Sequence, residues 1–268
     1  MPGQIAILVS SFDAYSDLWP PYFEAFERNW PDCPFPRYLL SNYKTFPGFA
    51  VTSIQVKDVR AWPVCMRLAL NEIREEFILL LLEDLFIFSK VDTDKFLRLS
   101  EWIAEHRPAC IRLQPEQGMV PTEFPGISHL PPGLPYRSST VLSVWRKDVL
   151  LDLLRDDESI WQFEVMGSVR TDKYPDFYVT DQPYLKYLHG VIRGKWIPDA
   201  QRKLLAAGIH VLTEARPVFS LRDRLAQMGR WARARGLRIV PVQYQRRMRL
   251  WFSTTKSSPG PPRANVKT

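Results

Sequence analysis

The chain has 268 residues, 46% hydrophobic and 13% aromatic, enough to bury a full core, which excludes disorder over most of its length. Its longest wholly apolar run, 77–82, is six residues closed by Glu83 and Asp84, far short of the roughly 20 needed to span a bilayer. The net charge of +7 is divided unevenly: residues 201–268 carry 15 Lys and Arg against 2 Asp and Glu, so an acidic body precedes a basic tail.

The start, Met1-Pro2-Gly3-Gln4, has no basic leader and runs into Ile5-Ala6-Ile7-Leu8-Val9, too short for a secretory apolar region, so a cytoplasmic protein is expected. Residues 5–11, aliphatic and ending in Ser10-Ser11, are expected to form a strand buried on both faces of a parallel sheet. After a polar loop, Trp19, Phe23, Phe26 and Trp30 recur at spacings of four, three and four, and Pro20-Pro21 suits a first turn, predicting a helix over 18–30. Strands follow at 37–41 and, more weakly, 50–56. Cys65, Leu68, Ala69 and Ile73 have helical spacing, and 76–82 is a second doubly buried strand. This alternation predicts β-α-β units and a mostly parallel sheet.

Residues 114–135 hold six prolines and three glycines and read as a long irregular loop lining or covering a site. A strand at 139–145, helices at 147–154, 159–169 and 199–208, and an arginine-rich helix at 221–236 complete the chain. Residues 257–268, with three prolines and no aromatic, read as a disordered tail. Cys33, Cys65 and Cys110 lie far apart and are expected to be reduced structural thiols.

No G-x-G-x-x-G, Walker A, H-E-x-x-H or G-x-S-x-G occurs, which argues against dinucleotide oxidoreductases, P-loop kinases, zinc proteases and serine hydrolases. Three segments can carry chemistry. Glu83 and Asp84 end a central strand, where ligands bind in open parallel sheets; adjacent carboxylates invite a divalent cation, Mg²⁺ or Mn²⁺, with open positions for diphosphate oxygens. The plainer reading is a wet strand end with one acid capping the next turn. The loop Ser11, Asp13, Tyr15, Asp17 can present short side chains and a stacking ring to a nucleotide, or cap the helix through Ser16 or Asp17. Glu164, between Trp161 and Phe163, fits a general base whose pKa is raised by an apolar setting, or a buried acid that only holds the fold together.

The run from Ser11 to Pro34, Leu-Leu-Glu-Asp-Leu-Phe at 81–86, and the pairing of Ser-Val-Trp-Arg-Lys at 143–147 with Ser-Ile-Trp-Gln-Phe-Glu at 159–164 resemble bacterial glycosyltransferase-type proteins of surface-polysaccharide gene clusters. The resemblance covers roughly residues 5–200. It implies a GT-A-like nucleotide-diphospho-sugar transferase fold, the donor on Ser11, Asp13, Tyr15, Asp17, Arg67 and Glu83, Asp84 at the diphosphate and any metal, and Glu164 facing the acceptor. Tyr136, Arg137, Ser139 and Trp161 are further donor or acceptor contacts. The family's Asp-x-Asp is here Glu83-Asp84-Leu85, which bears on metal dependence.

In 218–252, arginines interleave with Leu221, Leu225, Met228, Trp231, Trp251 and Phe252, a pattern for an anionic membrane surface, for a helix packed on the body, or less readily for nucleic acid. The expected organisation is a GT-A-like α/β domain at 1–217, a basic amphipathic segment at 218–256 and the tail. The expected function is a cytoplasmic glycosyltransferase, peripheral on the inner membrane face, that moves a hexose from a nucleotide-diphosphate donor to a polysaccharide or lipid-linked acceptor. Its rival is a non-catalytic module of the same fold that binds a sugar nucleotide, a glycan or a protein partner.

Overall fold

The computed structural model describes residues 4–59 and 61–220, together with Arg222, Asp223, Leu225, Met228 and Arg246. The helix expected at 221–236 and the tail at 257–268 fall almost wholly outside the described residues. In chain order, β1 (Ile5–Ser10) passes through a 3-10 turn (Asp13–Leu18) into α1 (Trp19–Asn29), then β2 (Arg37–Ser41), β3 (Val51–Gln55), α2 (Trp62–Glu72), β4 (Phe77–Leu82), β5 (Leu85–Ile87) and α3 (Thr93–His106). After these come β6 (Cys110–Arg112), β7 (Val120–Pro121), β8 (Ile127–His129), β9 (Ser143–Arg146), α4 (Lys147–Leu153), α5 (Ile160–Arg170), β10 (Phe177–Thr180), β11 (Tyr187–His189), β12 (Val191–Ile192), β13 (Lys195–Trp196) and α6 (Pro198–Ala206).

The expected α/β class, with a large, mostly parallel sheet flanked by helices, is what forms. Nine strands are ordered β3-β2-β1-β4-β9-β6-β10-β8-β7, all running one way except β9 and β8. The two continuous apolar runs, β1 and β4, pair in register from Ile5 with Phe77 to Ser10 with Leu82 and lie in the interior of the sheet. Both faces of this pair are buried. Ile7, Val9, Leu79 and Leu81 face a layer with Trp19, Phe23, Phe26 and Trp30 of the α1 segment, while Ala6, Leu8, Ile78 and Leu80 face a layer with α2, α4 and Phe163 of α5. Strand side chains alternate between faces, so a run apolar at every position is what two covered faces require.

The chain builds β2 and β3 outward on one side of β1, then places β4 on the other. The carboxyl ends of β1 and β4 therefore flank a topological switch point, where open α/β sheets leave a crevice for ligands.

Several expectations change. On α2, Leu68 points to solvent at 41% exposure, and Met66 and Leu70 join Cys65 and Ala69 in the core. The loop expected over 114–135 contains β7 and β8, which extend the sheet by antiparallel pairing of β8 to β10 and of β7 to β8. The strand expected from 139 begins at Ser143, because residues 138–141 spend their polar groups on α5 and on local turns. Helix α3 was not anticipated, although Phe96, Leu99 and Ile103 carry the spacing and Asp92 caps it by accepting from the Lys95 N–H at 2.9 Å. All three cysteines are free thiols. Among the described residues no helix is long and apolar enough to cross a membrane.

Candidate functional site

The loops that leave β1 and β4 meet at the switch point. At the end of β1 two indoles fix two hydroxyls: Trp62 Nε1 donates to Ser10 Oγ at 3.1 Å and Trp19 Nε1 donates to Ser11 Oγ at 2.8 Å. The Asp13 carboxylate accepts from the backbone N–H groups of Asn42 (2.9 Å), Tyr43 (3.0 Å) and Lys44 (3.2 Å), and so stitches the loop after β1 to the loop after β2. Its lone pairs are spent on backbone, which makes it the anchor of this loop.

Asp17 is held from far along the chain. Arg216 donates from Nε and Nη2 to its two oxygens, at 2.7 and 2.6 Å, gives a further bond to Ala14 O at 2.5 Å, and lies 4.0 Å from the centroid of the Tyr15 ring. A planar guanidinium serves a carboxylate and a ring face at once, which an ammonium does not. Burial raises the Tyr15 hydroxyl pKa, with the Arg216 charge opposing. Sequence reasoning missed Arg216: it is 199 residues from Asp17, and a single Arg-Pro step in an arginine-rich region carries no local signal. With side-chain exposures of 8% and 17% the pair is mostly desolvated, so Arg216→Ala strands a buried carboxylate. The expected loss in urea unfolding is about 2–4 kcal/mol, and a loss below about 0.5 kcal/mol would show the pair to be dispensable.

After β4, Glu83 is buried, 7% exposed, and Asp84 is part-exposed, its side chain at 24%. Burial, and then the neighbouring Asp84 charge, push the Glu83 carboxyl well above the usual carboxylate range; Arg216 opposes and Asp17 adds to the rise. The Tyr22 hydroxyl, fully buried and without a hydrogen-bond partner among the described residues, is pushed up by burial and then by the same two acids. A raised folded-state pKa means that Glu83 keeps its proton where the unfolded chain has lost it. Stability therefore falls as pH rises from the unfolded carboxyl pKa, about 4.3, through the folded value. Glu83→Gln, which fixes the neutral form, is expected to raise the melting temperature at pH 8 and change it little at pH 4. Equal shifts at both values would rule out this linkage.

Asp84 is locked by its backbone, its carbonyl accepting from Gly190 N at 2.8 Å, and its carboxylate lies 3.4 Å from His189 Nε2 across the β5–β11 ribbon. Gly190 is required here: a Cβ would run into the Phe86 ring. His189 is a second residue that sequence reasoning passed over, since scattered histidines announce nothing until a ribbon pairs them with an acid.

Glu164 reaches the same edge from α5. Its Oε1 accepts from the Thr140 N–H at 2.9 Å and the Thr140 hydroxyl at 2.8 Å. Phe163 beside it packs on Trp62 at 5.3 Å, the residue that holds Ser10. The apolar surround expected from Trp161 and Phe163 is not what this carboxylate meets: Phe163 enters the core, Trp161 is 56% exposed, and on a helix consecutive residues point about 100° apart.

Other expected contacts lie elsewhere. Arg137 is completely buried, donating to the carbonyls of Leu130 (2.9 Å), Thr171 (2.5 Å) and Tyr174 (2.7 Å), 4.2 Å from the Phe177 ring centroid; burial lowers its pKa to about 10. It holds the 130–137 segment onto the body. Ser139 is buried in the following turn, its Oγ accepting from Val141 N at 3.2 Å. The Tyr136 carbonyl accepts from Arg112 and its ring meets Trp161 edge-on at 6.1 Å. Arg67 donates to Leu151 O (3.3 Å) and Leu154 O (3.4 Å) and pairs with Asp156, bracing α2 against the end of α4. The structure thus gathers Ser11, Tyr15, Asp17, Glu83 and Asp84, places Glu164 along the same edge, and leaves Arg67 and Arg137 in supporting positions.

As to metal, no three His, Cys, Asp or Glu side chains converge among the described residues. Asp84 is the more exposed carboxylate of the two, with His189 beside it, while burial and the Asp84 charge disfavour an ionised, ligating Glu83. Mg²⁺-type ions are commonly held by one or two carboxylates plus substrate phosphates, so this donor set fits a cation that arrives with a diphosphate and does not fit an all-protein cage.

No protein-family model matches the sequence, and no curated protein matches it. Among solved structures the chain is similar to S. aureus TarS 1-349, with 12% identity and a TM-score of 0.48 over 68% of this chain and 59% of that one. It is similar to a CMP:2-keto-3-deoxy-manno-octonic acid synthetase complexed with CTP, with 12% identity and a TM-score of 0.45 over 76% of this chain and 98% of that one. It is also similar to the glycosyltransferase GlyE of Streptococcus pneumoniae TIGR4, with 11% identity and a TM-score of 0.40 over 65% and 44%. The chain spans 59% of TarS 1-349 and 38% of a longer TarS structure.

Proposed function

We propose that the protein is a GT-A-like glycosyltransferase that uses a nucleotide-diphosphate sugar. The observation that carries this reading is the switch point at the carboxyl ends of β1 and β4, where Tyr15, Asp17, Glu83 and Asp84 lie close enough for their charges to act on one another. The loop offers the Tyr15 ring to the nucleoside, and Asp84, with a Mg²⁺ or Mn²⁺ ion brought by the donor, holds the diphosphate. Such an ion supplies positive charge to the departing phosphate oxygens.

Transfer proceeds as an acceptor hydroxyl oxygen bonds to the anomeric carbon while the bond from that carbon to the phosphate oxygen breaks, the electron pair leaving with the nucleoside diphosphate. In an inverting course Glu164 takes the hydroxyl proton on Oε2, its Oε1 being fixed by Thr140. The acceptor is a polysaccharide or lipid-linked glycan, and residues 218–252 carry the protein to an anionic membrane surface on the cytoplasmic side. The test is release of nucleoside diphosphate from a panel of sugar nucleotides with Mn²⁺ or Mg²⁺, in the presence of a membrane extract as acceptor source. Donor-specific release supports transfer. A single accessible carboxylate in the crevice also suits a non-catalytic sugar-nucleotide module, and tight binding without release would favour that reading.

A further inference from the structure

A concavity of about 570 Å³ is lined by Gln114, Pro115, Glu116, Gln117 and Tyr187. The volume is in the range of roughly 300–1,000 Å³ typical of small-molecule sites. Its position follows from the fold. Residues 114–117 continue from the carboxyl end of β6, on the same sheet edge as the ends of β1 and β4. Tyr187 and His189 are alternate residues of β11 and share one face, and His189 is the residue at 3.4 Å from Asp84. The pocket therefore lies near Asp84, whose charge acts on the Tyr187 hydroxyl.

The lining defines what it can hold. Glu116 is neutralised internally: Oε2 accepts from Arg112 at 2.8 Å and Oε1 from the Gln117 N–H at 3.0 Å. Arg112, 4% exposed, pairs through Nη1 with Glu116 and with the Tyr136 carbonyl, and none of the five lining residues is a Lys, Arg or His that would meet a phosphate. Beside Glu116 and Pro115, the lining residues are Gln114 and Gln117, whose amides can donate and accept, and one aromatic residue, Tyr187, 39% exposed. A mostly polar wall would leave its groups unpaired against an acyl chain. Neutral amides that bridge neighbouring hydroxyls, with a ring to cover a C–H face, suit an uncharged, hydroxyl-rich ligand.

We infer that this pocket is a saccharide subsite that takes a neutral sugar residue. Its description as the acceptor subsite rests on the glycosyltransferase reading; its ability to bind a sugar does not. The test is a glycan array carrying neutral hexose, hexosamine and deoxyhexose chains alongside sialylated and sulfated ones, probed with the full chain in the absence of any nucleotide. Wild type, Tyr187→Ala and Gln117→Ala are compared, both positions being exposed so that an unchanged melting temperature verifies the fold. Neutral glycans are expected to bind, each variant losing at least fivefold. Absence of binding, binding confined to acidic glycans, or equal binding by the variants overturns the inference, as does competition by free nucleosides. Because no donor is present, failure here leaves the donor site to be judged by its own experiment.

Discussion

Replacing Arg137 by Ala is expected to lower the melting temperature by about 10 °C. The side chain is wholly enclosed, and its guanidinium serves the carbonyls of Leu130, Thr171 and Tyr174 while lying on the Phe177 ring. Truncation leaves the Leu130 and Tyr174 carbonyls without their donor, Thr171 O keeping the Tyr174 N–H at 2.9 Å, and opens a void the size of a long side chain. Each orphaned buried group costs about 1–3 kcal/mol, partly recovered by relaxation and entering water, so a net loss of about 3–5 kcal/mol follows. For a domain near 200 residues, 1 kcal/mol moves the midpoint by about 2–4 °C. Arg137→Lys is expected to recover little, since one ammonium cannot span three carbonyls. A thermal shift below about 2 °C for the Ala variant would mean that the 130–137 segment is held by other contacts.

Asp84→Asn carries the largest expected functional effect. The backbone of Asp84 is fixed through Gly190, and the amide is isosteric with the carboxylate, so the fold is expected to be retained with a change under about 1 kcal/mol. The lost charge is the one proposed to hold the diphosphate and its cation. Removing a single group preorganised for developing charge typically costs about 10²–10³ in turnover, and a reduction of that size in nucleoside diphosphate release is expected here. An Asn variant within twofold of wild type would remove Asp84 from the chemistry.

The parts of the fold that were legible in the sequence are those where one segment carries its own constraint. Strands β1 and β4 were plain because burial on both faces forces every residue to be apolar, and α1 because its aromatic face repeats at three and four. The short pieces β5, β11, β12 and β13 were not, since two or three residues hold no period and their pairing joins positions about 100 apart for β5 with β11. The candidate site divides in the same way. The acids at the end of β4 and the polar loop after β1 follow from strand ends in an α/β sheet. Arg216 and His189, which complete the cluster, arrive through long-range pairing that no local pattern encodes. Arg137 looked like an available cation after a proline-rich loop, and the fold uses it as an internal strut; a lone basic residue in sequence does not reveal whether its partners are a ligand or backbone carbonyls.

The central claim, that the β1–β4 crevice binds a nucleotide-diphosphate sugar through Asp84, is tested most directly by a thermal-shift panel of UDP-, GDP-, dTDP- and CMP-sugars, with and without Mn²⁺, on wild type and Asp84→Asn. A ligand that binds only the native state stabilises it by about 2.7 kcal/mol at a concentration of 100 Kd. A rise of several degrees is expected with one nucleotide class, larger with Mn²⁺ and abolished in Asp84→Asn. No shift with any donor, or a shift that the variant retains in full, would contradict the claim.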